Sequence, residues 1–324
     1  MNKVCILLFL PLLLCGQPQD VPLVMYAAGK IDYEGGASGK SIPVYTGIYL
    51  TGQGRLSLGE DASLEAISGD QFVRLTSPGR YPLSDLFAEE ARETGFIDRF
   101  INFVRRGLEQ SGTAEDLERA YQENQGNAQG NINGLGDAGL SGLLPFGGTL
   151  FPLPTTFTWP GDNAATSYRI RVVDSLTEAV VLTATTRDTS LLLDLSGLYL
   201  QDNHRYYWEV FPNAAPSSRP SRLGAQAPAV AGTRIYFTYR DRDRSQVLAP
   251  VTGLPMYRGT ASEAQRRLLE AMALEEADYL YAADRAYRDG LAEEPNNPII
   301  RRAYAAFLSR WNQRSLARNL IRTR

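Results

Sequence analysis

Short alternations of apolar and polar residues, broken by glycine, fill residues 21–86. Val21–Tyr26, Ile42–Leu50, Arg55–Leu58, Ser63–Ile67 and Phe72–Leu75 are the apolar runs, and glycines such as Gly29, Gly47, Gly54 and Gly79 stand between them. Runs of this length with regular turn signals predict a small all-β unit. The period then changes. Leu86, Phe87, Phe96, Ile97, Phe100, Ile101, Val104 and Leu108 recur at three and four, with a start signal at Ser84-Asp85, which predicts one apolar helical stripe. A second short helix is expected from Thr113, an N-cap with Asp116 three positions on, to about Glu123. The helical segment is therefore placed at 87–123. Residues 124–149 are rich in glycine, asparagine and small side chains and are expected to be a linker.

Alternation returns over 150–245. Phe157-Thr158-Trp159 precedes a Pro-Gly turn, Ser167–Val173 alternates cleanly, and Ala179–Thr183, Ser190–Leu195, Arg205–Val210 and Ile235–Tyr239 follow. Trp159 and Trp208 are expected in a core, with Tyr168, Ile170 and Val172 facing inward and Tyr206, Trp208 and Val210 as partners from the opposite sheet. Residues 261–324 read as helical.

The residues of each block support a resemblance. Gly29, Gly47 with Leu50, Gly54-Arg55-Leu56, Ala62 with Leu64 and Ala66, and Val73-Arg74-Leu75 running to Pro78-Gly79-Arg80-Tyr81 resemble the FecR-like domain of bacterial envelope proteins over residues 21–86. That family implies a periplasmic sensing or scaffolding module. The 150–245 pattern looks like a fibronectin type III or related immunoglobulin-like sandwich. Ala283, Tyr287, Gly290-Leu291 and Pro295 resemble the second helix and exit of a tetratricopeptide repeat, with Ala271 twelve positions earlier at the small first-helix position. The repeat would run over 264–297, and Tyr304, Ala305 and Leu308 would begin a closing helix. One repeat cannot bury its own faces, so docking on the β domain or a partner is expected. The fold class expected is multidomain α+β: a small all-β N-terminal module, an immunoglobulin-like β-sandwich and a C-terminal α-helical repeat.

Composition narrows the chemistry. The 324 residues are 44% hydrophobic and 21% charged, with formal net charge −3, which is ordinary for globular proteins of two or three domains. Lys3 and the apolar run Val4–Leu14 predict a secretory signal peptide over 1–16, because eleven residues of helix span only about half of a ~30 Å hydrocarbon core. Cleavage near Gly16 would release a free chain. Alternatively, Leu-Leu-Leu-Cys15-Gly16 resembles a lipoprotein box with Cys15 lipidated, although Leu14 stands where that box has a small residue. The only cysteines, Cys5 and Cys15, fall in this leader, and His204 is the only histidine. A mature chain so constituted excludes disulfides, Cys-rich zinc sites, iron–sulfur clusters and multi-His metal sites. His204 is expected in an exposed turn. The pairs Glu89-Glu90, Glu275-Glu276 and Glu293-Glu294 are expected on solvated helix faces, and Arg240–Arg244 to neutralise its own two aspartates. No phosphate-loop pattern occurs, and no lysine follows Lys40. No catalytic residue, metal ligand or cofactor is expected.

The sharpest charge signal is C-terminal. Seven arginines and no acid lie between Ile299 and Arg324, interleaved with Phe307, Leu308, Trp311, Leu316 and Leu320. A single basic amphipathic helix is expected, presenting Arg301, Arg302, Arg310, Trp311, Arg314 and Arg318 to a protein partner or to an anionic membrane or envelope surface. The favoured reading is that it closes the repeat, its arginines solvated or neutralised by the acidic residues upstream. Nucleic acid is not expected, because the leader sends the chain out of the cytoplasm. The expected function is a non-catalytic periplasmic or secreted scaffold of the bacterial envelope. The alternatives are a FecR-like sensor component and a carboxylate- or serine-based hydrolase.

Overall fold

The computed structural model describes residues 21–35, 40–51, 53–68, 71–87, 96–130, 132–133, 142–214 and 233–322. The leader with Cys15, and the Glu89-Glu90 pair, lie outside the described residues. The architecture is mixed α+β. Strands β1 (Leu23–Ala28), β2 (Ile31–Gly35), β3 (Ser41–Pro43), β4 (Gly54–Leu58), β5 (Ser63–Ser68), β6 (Gln71–Leu75) and β7 (Gly79–Pro82) form two antiparallel sheets, ordered β1-β5-β6 and β3-β2-β4-β7. Val24, Ile31, Tyr33, Leu56 and Leu64 share a core between them. The opposite face of β1 and β5 is buried too. Leu23, Met25 and Ile67 point away from this core into a cluster built mainly of helices. Because side chains alternate across a strand, β5 is covered on both faces and its inward and outward residues are equally buried.

That helical body comes from two distant stretches of chain. After a single turn α1 (Leu83–Leu86) come α2 (Phe96–Glu109) and α3 (Ala114–Gly130). Thr113 Oγ1 accepts from the Asp116 backbone N–H while the Asp116 carboxylate accepts from the Thr113 N–H, a reciprocal cap that starts α3 where the spacing predicts it. The second stretch supplies α4 (Arg244–Thr252), α5 (Pro255–Gly259), α6 (Glu263–Glu276), α7 (Leu280–Glu293), α8 (Pro298–Arg310) and α9 (Arg314–Arg322). Helices α6 and α7 form a hairpin; a Cβ on Gly290 would sit 3.2 Å from Arg267 Cβ, so the glycine permits their close approach. Helices α2 and α3 pack on α8, burying Phe100, Val104 and Leu117. The unpartnered faces of the hairpin and of α8 are thus covered from within the chain. Helix α4 falls between the blocks read from the sequence and holds Pro250; Asp243 caps it by accepting from the Ser245 N–H.

Between these stretches lie β8 (Ile132–Asn133), β9 (Thr149–Leu150), β10 (Pro154–Thr158), β11 (Ala165–Asp174), β12 (Val180–Thr186), β13 (Ser190–Asp194), β14 (His204–Ala214) and β15 (Arg234–Tyr239). One sheet has the order β12-β11-β14-β15-β8, with β9 parallel to β15; the other is the pair β10-β13. The two share a core of Phe157, Trp159, Ile170, Val172, Trp208 and Phe237. Phe157 meets the Trp208 ring edge-on at 5.4 Å, across the two sheets. Both tryptophans are buried, as their setting predicts. The expected pairing of strands needs correction, however. Ile170 lies opposite Val210 and Val172 opposite Trp208 within one sheet, so β11 and β14 are neighbours and the facing sheet is β10-β13.

The expected linker 124–149 is also revised. Helix α3 continues to Gly130, β8 pairs with β15, and Leu143 and Phe146 are fully buried. Glycine there serves close approach. Gly148 has φ +75°, and a Cβ on it would meet the Asp278 carbonyl oxygen at 2.5 Å. Beside it the Thr149 N–H donates to that same carbonyl and Phe151 stacks on Tyr279 at 3.9 Å, fastening the two-sheet unit to the α6–α7 turn.

Candidate interaction surfaces

The C-terminal arginines are the natural starting point. They occupy two helices, not one: Asn312, at φ +59°, ends α8 and redirects the chain into α9. Arg310 is largely enclosed. Its Nη2 lies 2.6 Å from Glu275 Oε1 and its Nη1 donates to Gln110 Oε1 at 2.8 Å; burial works against its charge, and the Glu275 carboxylate outweighs that and raises its pKa. Arg314 donates to Glu118 at 3.1 Å and covers the Tyr121 ring at 4.5 Å. Arg318 stands 3.8 Å from the same carboxylate. Arg301 donates to the Pro295 carbonyl. Of the six residues singled out, Arg302 and Arg318 are exposed, on different helices. Leu316, Leu320 and Ile321 of α9 pack against the helical core. The basic stripe therefore works largely as an internal clasp joining α8 and α9 to α3 and α6. The acidic partners come from α3 as well as from the hairpin.

Arg310 and Trp311 do reach a cleft of about 620 Å³ between α2, α3, α6 and α8. Glu276 lines it with its carboxyl pushed up by burial, an effect opposed by Arg99 at 3.8 Å. The charges there largely answer one another. A smaller cavity of about 260 Å³ lies between the 142–146 segment and α7, α8 and α9, mostly apolar but with Asp284 and Arg288 in its wall. Burial raises the Asp284 carboxyl, while Arg288 and the Tyr304 hydroxyl, which donates to it at 2.7 Å, pull it back.

His204 is not in a loose turn. It opens β14, its Nε2 lies 2.8 Å from Asp174 Oδ2, and its ring meets Tyr206 edge-on. Asp174 accepts as well from the Leu176 and Thr177 N–H groups and so builds the β11–β12 hairpin. Those contacts, led by the Thr177 N–H, hold its carboxyl below the usual aspartate range. Among the described residues no three His, Asp or Glu side chains converge as metal ligands would.

The hairpin leads to a weakly protected sheet edge. Edge strands expose unpaired N–H and C=O groups, and proteins blunt them by shortness, proline or charge. β3 is three residues long and ends in Pro43; β7 carries Arg80 and Pro82; β6 carries Arg74; β10 begins at Pro154. β12 has seven residues, Val-Val-Leu-Thr-Ala-Thr-Thr, with no charge and no proline, and among the described residues only β11 pairs with it. Val180 and Val181 are exposed on the strand itself, and Leu176, in the turn that leads into it, is 80% exposed. The outer face of the same sheet is different in character. Arg169 lies over Phe211 at 5.3 Å, Arg234 over Tyr207 at 4.5 Å and Arg205 over Tyr236 at 4.6 Å, while Arg171 lies 3.3 Å from Glu209. Burial and the Glu178 carboxylate it bonds push the Tyr207 hydroxyl up to about 12. This ladder stiffens the sheet and leaves β12 as its uncharged margin. The sequence predicted a strand here but gave no hint that it would be terminal, since order in a sheet depends on non-local pairing. No protein-family model matches the chain, and no curated protein matches it.

Proposed function

We propose that this chain is a non-catalytic scaffold of the bacterial envelope, exported to the periplasm or beyond, that docks a protein partner through the β12 edge. The observation that carries the reading is the seven-residue uncharged edge, with Val180 and Val181 exposed on it and Leu176 exposed in the adjoining turn. Strand addition to such an edge gives affinity through main-chain hydrogen bonds and specificity through alternate side chains. In this reading residues 21–86 are a FecR-like module, the two-sheet unit is an immunoglobulin-like sandwich, and α6–α7 is a tetratricopeptide-like hairpin. Export rests on the leader, and no described helix is long and apolar enough to cross a membrane. The intact mass of the mature protein distinguishes a free chain from one lipidated at Cys15.

The test is affinity capture from envelope extract with the wild-type chain and a Thr183→Lys, Thr185→Lys variant, both side chains being exposed. The reading expects an identified partner retained by the wild type and lost by the variant. Equal retention by both would remove β12 from the account, and a hydrolytic activity abolished by one carboxylate substitution would overturn the non-catalytic reading.

A second reading, a sensor component, is favoured by one junction. Glu65 on β5 is fully buried and accepts from the Thr260 hydroxyl at 2.6 Å and the Ala261 N–H at 2.9 Å, immediately before Ser262 caps α6. A state change in the N-terminal sheets would reach the helices through this contact. Hydrogen exchange in α6 that is indifferent to Glu65→Gln would count against it.

A further inference from the structure

We propose that the partner strand for β12 is the β12 of a second copy of this chain, paired antiparallel about a two-fold axis through Ala184. This rests on the reading of β12 as a docking edge and adds the identity of the occupant. The pairing of β11 with β12 shifts register between Val172 and Val173: Val172 lies opposite Leu182 and Val173 opposite Val180, so Val181 is the extra residue of a bulge. The regular part of the strand is therefore 182–186, and its midpoint is Ala184.

An isologous two-fold contact places each residue against its symmetry mate. Centred on Ala184, the pairs are Leu182 with Thr186 and Ala184 with itself on the more buried side, and Thr183 with Thr185 twice on the exposed side. Every pair lies on one face of the sheet, as the pleat requires. None sets like charges opposite, and the exposed pairs are Thr–Thr, a favourable cross-strand combination. The smallest side chain of the five stands on the axis, where the two copies come closest. The arginine ladder does not oppose the contact. Arg169 and Arg171 of the two copies would be separated by three strand spacings, about 14 Å, beyond the ~8 Å screening length at physiological ionic strength. The contact also closes: once two edges are paired, neither is left to recruit a third copy by the same surface.

The experiment is light scattering and sedimentation of the purified full chain across the micromolar range, with two double variants. Thr183→Lys with Thr185→Lys sets lysine against lysine across the axis twice and should weaken the dimer about tenfold or more. Thr183→Lys with Thr185→Glu sets lysine against glutamate twice in the same register and should restore it. Both positions are exposed in the single chain but lie opposite Arg171 and Arg169 on β11, so circular dichroism should match the wild type in each while the Lys/Lys variant melts slightly lower. A wild-type chain that stays monomeric throughout overturns the proposal, as does a dimer indifferent to the two lysines or one that the Lys/Glu variant fails to restore. A monomeric chain that still captures an envelope protein in a β12-dependent way overturns self-pairing while leaving the docking edge standing.

Discussion

At the scale of the residue, buried polar contacts join parts of the chain that alternation alone would leave separate. Glu65 sits in a strand that reads as half-exposed, yet it is fully buried and holds the start of α6, with Arg74 at 3.5 Å. Glu65→Ala would strand the Thr260 hydroxyl and the Ala261 N–H, at a cost of about 3 kcal/mol by urea unfolding. Gly148→Ala combines a left-handed backbone with a Cβ driven into the Asp278 carbonyl, and should cost about 3 kcal/mol or more in the same measurement. Asp174 gives a pH dependence with a definite sign. Its carboxyl is held below the usual aspartate range, so its contribution is present above that range and lost as pH falls through its depressed folded value. The stability difference between the wild type and Asp174→Asn should accordingly shrink on acidification, as read from melting temperatures. Gly148 was read only as part of a glycine-rich linker; its role as a contact was not legible, because the atoms it approaches lie far along the chain.

At the scale of the element, local signals were read correctly where they were strong. The Thr113–Asp116 cap, the burial of Trp159 and Trp208 and the helical character of the C-terminal region stand where period and spacing put them. The misreadings share one cause. Gly and Asn counts outweighed Leu143 and Phe146 in the supposed linker, and the arginine run concealed the break at Asn312. Composition is a weaker signal than a specific buried side chain or cap. The run of arginines reads as a surface because their acids lie elsewhere: Arg314 bonds Glu118 across 196 positions. Arg310→Ala, which leaves Glu275 enclosed without its cation, should destabilise the chain by about 3 kcal/mol in denaturant unfolding. The tyrosines between α7 and α8 set the alkaline limit. Burial raises Tyr287 and Tyr304 well above the ordinary tyrosine value, and Tyr257 to about 12. Their contribution is complete below the unfolded tyrosine value and lost as pH rises above it, so Tyr304→Phe should flatten the fall of stability in alkali.

At the scale of the whole molecule, the modules that texture separates share one helical core. Leu23 and Met25 from the first sheet, Phe100 and Leu117 from the middle helices, and Phe151 from the two-sheet unit all enter it. Unfolding should then be one transition, with tryptophan fluorescence from Trp159, Trp208 and Trp311 coincident with far-ultraviolet circular dichroism. A stiff assembly of this kind holds the β12 edge in fixed geometry, and the docking reading depends on that edge being open. The most direct measurement is amide hydrogen exchange along Val180–Thr186 in dilute and concentrated solutions of the full chain. The account predicts that amides bonded to β11 are protected at every concentration, while those on the outer edge exchange rapidly when dilute and become protected when concentrated. Protection of both sets at the lowest concentration would contradict it, because the edge would then be covered within a single chain.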